Sequence, residues 1–138
     1  METRETRGRG EDRQSRDGLR MRLGSGPGAA AEARTAIARL RADLDPPLME
    51  TLRLLVTELV TNSVRHTDSD SVTLSVAVGK SAVLTEVVDE GPLFDPDAQD
   101  LEDPDCGWGL FLVQRLAPKW GVKKDNGTKR VWFELARA

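Results

Sequence analysis

The sequence predicts an α+β domain in which helices cover one face of a mostly antiparallel sheet. Apolar residues recur at helical spacing over residues 29–44 and 46–66. Later β-branched stretches alternate with smaller or polar residues and are joined in pairs by short turns, which favours antiparallel neighbours. Because helical and strand-like runs are largely segregated along the chain, a two-layer sandwich is the architecture that buries both kinds of apolar surface.

Composition limits the chain to one domain and a few classes of partner. With 138 residues, 38% of them hydrophobic, it can bury a core. Residues 1–17 are almost entirely polar, so we expect a disordered tail followed by a single domain over 18–138. The net charge of −3 gives no general reason to expect direct binding to nucleic acid or membrane. One cysteine, no secretory signal and no membrane span indicate a cytoplasmic protein.

A strand and a helix are predicted after the tail. Leu19, Met21 and Leu23 alternate with polar residues and indicate a short edge strand. After a glycine-rich break, residues 29–44 are rich in alanine and arginine, which favours a helix. The apolar positions of this helix are Ala33, Ile37, Leu40 and Leu44.

The second helix carries an informative pair of polar residues. Asp45 can cap it and Pro46 suits its first position, so we expect it to run to about His66. Glu58 and Asn62 lie one turn apart at the edge of its apolar stripe, where a core wall meets a cavity. Taken alone, the pair is slightly better explained as a surface glutamate and a helix-terminal asparagine. The stripe itself consists of Leu48, Leu52, Leu55, Val56 and Leu59.

Two predicted strands follow, and the second ends in an acid. Residues 72–78 and 83–88 are joined by a short turn containing Gly79. Asp89 comes directly after the second strand, and Gly91 follows two residues later. A buried carboxylate at this place can accept a hydrogen bond from a purine amine, and the glycine permits close backbone approach. An ordinary Asp-x-Gly turn is the alternative.

The last part of the chain contains a glycine pair and a hairpin. Gly107-Trp108-Gly109-Leu110 opens a short amphipathic helix that continues to about residue 117. Backbone amides at a helix N-terminus can bind phosphate, and glycines allow its oxygens to approach. Asp125-Asn126-Gly127 between strands at 122–124 and 129–135 predicts a hairpin. Trp108 could cover the nucleotide or a partner, or it could only pack on its own loop.

Three segments carry a resemblance to a known family: residues 58–66, 89–92 and 107–110. Their order and spacing resemble those of the ATP-binding domain shared by DNA gyrase and the histidine kinases, the GHKL superfamily with its Bergerat fold. The compact size is most similar to the branch of anti-sigma-factor serine kinases. The resemblance covers roughly residues 18–137. It implies a two-layer α/β sandwich with ATP and Mg²⁺ as cofactors.

The resemblance also implies roles for individual residues. Glu58 would be the general base, and Asn62 would hold the Mg²⁺ that bridges the phosphates. Asp89 would accept the adenine amine, and the hydroxyl of Thr128 would lie near it, although Thr128 is also explained as a hairpin residue. His66 is more simply a helix-end histidine than a pocket residue. The ATP-binding residues predicted in this way are Asn62, Arg65, His66, Asp89, Gly91, Gly107, Trp108, Gly109, Leu110 and Thr128.

The chain departs from the family pattern after Gly91. Leu93 stands where a second glycine is expected, which leaves the shape of the adenine side open. Residues 92–106 lie where the family has its ATP lid, and they contain six acidic residues and no lysine or arginine. A calcium loop is the other interpretation of such a segment, but the glycine and glutamate that an EF-hand loop requires are missing.

Three functional hypotheses follow. The first, implied by the resemblance, is a protein serine/threonine kinase that binds a sigma factor and phosphorylates a small antagonist protein, with a homodimer as a further expectation. The second is an ATP-gated protein-binding module without kinase turnover. The third is an interaction scaffold that has lost the nucleotide. An intact Glu58 favours the first over the second, because a pure binder does not need a base.

Overall fold

The computed structural model describes residues 14–15, 18–40, 44–67, 69–90, 108–125 and 127–137. Six strands and three helices form in these residues. The strands are β1 Gln14–Ser15, β2 Gly18–Gly24, β3 Ser71–Val78, β4 Ala82–Asp89, β5 Lys119–Asp125 and β6 Thr128–Ala136. The helices are α1 Ala29–Ala38, α2 Pro46–His66 and α3 Trp108–Leu116.

The strands form one antiparallel sheet in the order β1-β2-β3-β4-β6-β5. Hairpins join β3 to β4 and β5 to β6, as the short turns predict. The chain passes from β4 through α3 to β5, and β6 then returns to pair with β4. This order places the end of β4 and the start of β6 side by side.

The three helices lie on one face of the sheet, so the predicted α+β two-layer architecture is confirmed. The long helix α2 is central, because it packs against α1, α3, β3, β4 and β6. Inward-facing residues of the strands alternate with outward-facing ones, and the inward set meets the buried stripe of α2. The stripe contains the predicted Leu52, Leu55, Val56 and Leu59, all buried, whereas Leu48 is only half-buried.

Helix α1 is shorter than its apolar spacing predicts. It ends at Ala38, and the amides of Arg39 and Leu40 bond to carbonyls three residues back, which tightens the last turn. Leu40 is still buried, because the turn directs it into the same core. The prediction of a helix to residue 44 was therefore wrong: Leu40 keeps its burial outside the helix.

Helix α2 begins as predicted but without the expected cap. Pro46 occupies the first turn and Asp45 the N-cap position, yet the Asp45 side chain makes no capping hydrogen bond. Its backbone carbonyl instead accepts from the amide of Met49 at 2.9 Å. The helix ends at His66, where the sequence places its end.

A two-residue strand lies within the predicted disordered tail. Gln14 and Ser15 pair with Leu19 and Gly18 on the outer edge of β2, so the tail prediction does not hold for these two residues. The rest of 1–17 lies outside the described residues. Gly18 has φ +153°, and an added Cβ would clash with the Val76 carbonyl oxygen, so glycine is required there.

The sheet face opposite the helices carries Trp132 close against Gly121 on the neighbouring strand. A Cβ at position 121 would lie 2.6 Å from the indole nitrogen. The outermost strand, β5, exposes Lys119, Lys123 and Lys124. Lys119 forms a surface ion pair with Glu134 of β6, 3.9 Å between charged atoms.

Candidate functional site

The predicted acid and amide lie on one flank of α2. Glu58 and Asn62 are both half-buried and follow each other by one helical turn beside the buried stripe. On the opposite flank, Thr57 lies 3.5 Å from the Arg34 guanidinium of α1. Glu58 and Asn62 therefore face away from α1, at the boundary between core and surface where a ligand can reach polar side chains.

The C-terminal end of α2 brings two more predicted residues to this region. His66 is half-buried in the last turn, and Arg65 beside it is exposed. Cations at a helix C-terminus interact favourably with the helix dipole. The location of His66 therefore fits the helix-end interpretation and also leaves it one turn beyond Asn62.

A threonine hydroxyl connects α2 to the end of β4. Thr67, the C-cap residue of α2, accepts hydrogen bonds at Oγ1 from the amides of Ser69 at 3.1 Å and Glu90 at 3.4 Å. Because Glu90 follows Asp89 directly, this contact holds the strand end against the helix that carries Asn62. The helix and the acid predicted to form one pocket are thus physically joined.

Asp89 is a buried carboxylate paired with a buried lysine. Its side chain is 0% exposed, and Oδ2 lies 3.8 Å from Nζ of Lys129, which is 1% exposed. The two residues are register partners on β4 and β6, so both point to the helix side of the sheet. Burial lowers the pKa of the Lys129 ammonium from its ordinary value, and the Asp89 charge opposes that shift.

Lys129 is a residue that the sequence interpretation missed. A signal was present: Lys129 is in phase with Val131, Phe133 and Leu135, which all face the core. Thr128, the predicted hydroxyl, alternates to the other face of β6 and is half-buried there. The structure therefore brings Lys129, and not Thr128, to the side of the sheet on which Asp89 lies.

A matching family model decides the identification. The family described as Histidine kinase-like ATPase domain matches residues 24–135. The chain belongs to this family. The match spans every described element from the end of β2 to the body of β6, and so includes the flank of α2, the end of β4 and the Asp89–Lys129 pair.

Comparison with solved structures supports the fold. This histidine kinase-like ATPase domain superimposes on a structure of the RsbU and RsbW domains of Rv1364c from Mycobacterium tuberculosis with a TM-score of 0.68 and 18% identity. The match covers 88% of this chain and 33% of the other, so the chain spans about a third of that protein's length. No curated protein sequence matches at a significant level.

The remaining predicted site residues of this histidine kinase-like ATPase domain are only partly described. Trp108, Gly109 and Leu110 form the first turn of α3, within the glycine-containing segment that the sequence predicts to open this helix. Gly91, Gly107 and the acidic segment 92–106 lie outside the described residues. Helix α3 packs on α2, so its N-terminal amides belong to the helix layer that carries Glu58 and Asn62.

An open groove of about 470 Å³ lies elsewhere, between α1 and α2. It is lined by Arg34, Glu50, Thr51, Arg53, Leu54 and Thr57. None of the predicted site residues lines this groove. None of the described helices is long and apolar enough to cross a membrane.

Proposed function

We propose that this chain is an Mg²⁺-ATP-binding regulatory protein of the anti-sigma-factor serine/threonine kinase type. In this proposal it binds a sigma factor and transfers the γ-phosphate of ATP to a serine or threonine of a small antagonist protein. Membership of the histidine kinase-like ATPase family supports the nucleotide part. The single observation that carries the proposal is the hydrogen bond from Glu90 to Thr67, which ties Asp89 to the helix of Glu58 and Asn62.

The described residues fit an adenine nucleotide by their chemistry. Asp89 is an acceptor shielded from water, which is the environment in which one hydrogen bond to an exocyclic amine discriminates strongly. The backbone amides at the start of α3 would receive phosphate oxygens, as helix N-termini commonly do. These two features together suit a ligand with a base at one end and phosphates at the other.

A magnesium ion fits the same site through Asn62. Among the described residues, no three histidine, cysteine or acidic side chains are grouped closely enough to hold a metal ion. Mg²⁺ takes few ligands from protein and most from water and phosphates, so a single amide oxygen is sufficient when nucleotide is bound. The ion would neutralise phosphate charge and align the transferred group.

Glu58 would activate the hydroxyl that receives the phosphate. It lies one turn from Asn62 on the same half-buried flank, so base and metal ligand would face the same space. Arg65, in the last turn of α2, is the cationic candidate for stabilising charge on the phosphates, and the His66 imidazole beside it is a candidate hydrogen-bond donor. Partner recognition and a homodimer are carried over from the resemblance alone.

Calorimetric titration of ATP with and without Mg²⁺ tests the nucleotide site. We expect Asp89→Ala to abolish binding and Asn62→Ala to remove its dependence on Mg²⁺. Glu50→Ala is the matched control, because Glu50 is an exposed acid on the same helix. No binding by the unaltered protein would rule out every ATP-dependent function.

Phosphate transfer separates the kinase from an ATP-gated binding module. With radiolabelled ATP and a candidate antagonist protein, we expect Glu58→Ala to lower the transfer rate by about 100-fold or more. ATP affinity should change less than about threefold, because the base does not hold the nucleotide in this proposal. If the unaltered protein binds ATP and retains its partner but labels no acceptor, the binding module replaces the kinase.

A further inference from the structure

Lys129 is an unusual component of a sheet core. Lysine is almost never fully buried unless its charge is paired, yet Lys129 is 1% exposed in the last residue pair of the β4–β6 ladder. It lies opposite Asp89 on the adjacent strand, at the end of the sheet where β4 meets the region of α2. A plain apolar residue at position 129 would continue the inward pattern of Val131 and Phe133.

The Asp89 carboxylate and the Lys129 ammonium lie side by side on the side of the sheet that faces the helices. Nζ and Oδ2 are 3.8 Å apart, which is longer than the roughly 2.7–2.9 Å of a charge-assisted hydrogen bond. The Lys129 ammonium supplies hydrogen-bond donors and the Asp89 carboxylate supplies acceptors. Side by side on one face, they present an acceptor next to a donor.

That arrangement complements one edge of adenine. On this edge the exocyclic amine is a donor, and the adjacent ring nitrogen N1 is an acceptor. A carboxylate accepts from the first and an ammonium donates to the second. A site built to hydrogen-bond specific ligand atoms rejects analogues that lack them, because its buried polar groups are then left unsatisfied.

We propose that Lys129 is a specificity-determining residue of the base site, donating to adenine N1 while Asp89 accepts from the exocyclic amine. The proposal rests on the proposed function, since it presumes that Asp89 meets the base. Both side chains are covered in the structure, so binding requires the groups above them to move aside. Desolvation then makes each hydrogen bond to the base more discriminating than it would be in water.

Nucleotide analogues test the assignment on the unaltered protein. We expect 1-deaza-ATP, in which a C–H group replaces N1, to bind about tenfold more weakly than ATP or worse. Purine riboside triphosphate, which lacks the amine, should also bind more weakly. Equal binding of ATP and 1-deaza-ATP would overturn the role of Lys129 and leave the proposed function intact, whereas absence of any ATP binding would overturn both.

A variant separates a ligand contact from a purely structural ion pair. In Lys129→Met, ATP and 1-deaza-ATP should bind within about twofold of each other, while discrimination against purine riboside triphosphate persists through Asp89. Lys124→Met is the control, because Lys124 is the exposed register partner of Lys129 on β5. It should discriminate like the unaltered protein.

Two results with the folded Lys129→Met variant contradict the proposal. One is a retained preference for ATP over 1-deaza-ATP. The other is tighter ATP binding than in the unaltered protein, which would mean that the lysine competes with the base for Asp89. Because the analogue comparison needs only the unaltered chain, a variant that fails to fold does not remove the test.

Discussion

The hydroxyl of Thr67 accepts a hydrogen bond from the amide of Glu90 across 3.4 Å and joins the end of α2 to the end of β4. The same oxygen accepts from the Ser69 amide at 3.1 Å. One short side chain therefore sets the spacing between the helix that carries Asn62 and the strand that ends in Asp89. Sites formed from two elements depend on such contacts, because small displacements weaken ligand binding.

Removing this hydroxyl should weaken nucleotide binding without unfolding the protein. We expect Thr67→Val to lower the free energy of unfolding by about 1–2 kcal/mol, since two amides lose their acceptor. ATP affinity measured by calorimetry should fall as well. Thr51→Val is the control, because the Thr51 hydroxyl bonds only to the Pro47 carbonyl of its own helix among the contacts described here. Equal ATP affinity in the two variants would contradict the spacing role.

The buried pair should show strong coupling in a double-mutant cycle. Asp89→Asn or Lys129→Met alone leaves one charge buried without the other, at a cost of about 3–5 kcal/mol in urea unfolding. Combining both changes should cost much less than the sum, because neither charge remains. Additive single effects would contradict a direct interaction.

A second pair on the same two strands provides the comparison for that cycle. Glu86 and Arg130 are 3.9 Å apart, but their side chains are 32% and 42% exposed on the open face. Solvent screens such a pair, so its coupling energy should not exceed about 1 kcal/mol.

Lys129 should make stability rise with pH in the alkaline range. Its pKa is lowered in the folded protein by burial, whereas in the unfolded chain it returns to about 10.4. Between the two values the unfolded chain binds more protons, so the free energy of unfolding increases with pH. The free energy of unfolding of the unaltered protein, measured with urea, should rise relative to that of Lys129→Met by at most about 1.4 kcal/mol per pH unit in this window. A flat or falling difference would contradict the lowered pKa.

Three glycines should tolerate alanine to different degrees. At Gly18 an added Cβ would clash with the Val76 carbonyl oxygen, and the positive φ adds strain, so a loss of about 2–4 kcal/mol is expected. At Gly121 the obstacle is the Trp132 side chain, which can rotate, so the loss should be smaller and accompanied by a change in tryptophan fluorescence. Gly24→Ala is the control, since nothing lies within 4 Å. Thermal unfolding gives the order, and equal losses at 18 and 24 would contradict it.

Long periodic elements were predictable, whereas the end of α1 and one buried charge were not. Helix α2 and the two hairpins follow from spacing and turn residues, because each is determined by its own sequence. Helix α1 was predicted too long because Leu40 lies at helical spacing in the sequence. In the structure Leu40 is buried, but from the tightened turn that follows the helix. Local periodicity cannot distinguish a buried helical residue from a buried residue of the turn that follows the helix.

The candidate site was predictable as a set of residues but not as a set of contacts. Glu58, Asn62 and Asp89 stand out by type and position in the sequence. The partnership of Asp89 with Lys129 depends on β6 returning beside β4, a pairing between residues forty positions apart. A lysine at the start of a strand ordinarily faces solvent, so composition alone favours the wrong face for it.

The exposed lysines of β5 have a consequence for self-association. A strand at the margin of a sheet offers unpaired backbone groups to which another chain can add. Lys119, Lys123 and Lys124 put like charges along that margin, so a second copy approaching by the same strand would be repelled. The protein is acidic overall, yet its outermost full-length strand is basic. This local positive charge opposes edge-to-edge aggregation through β5.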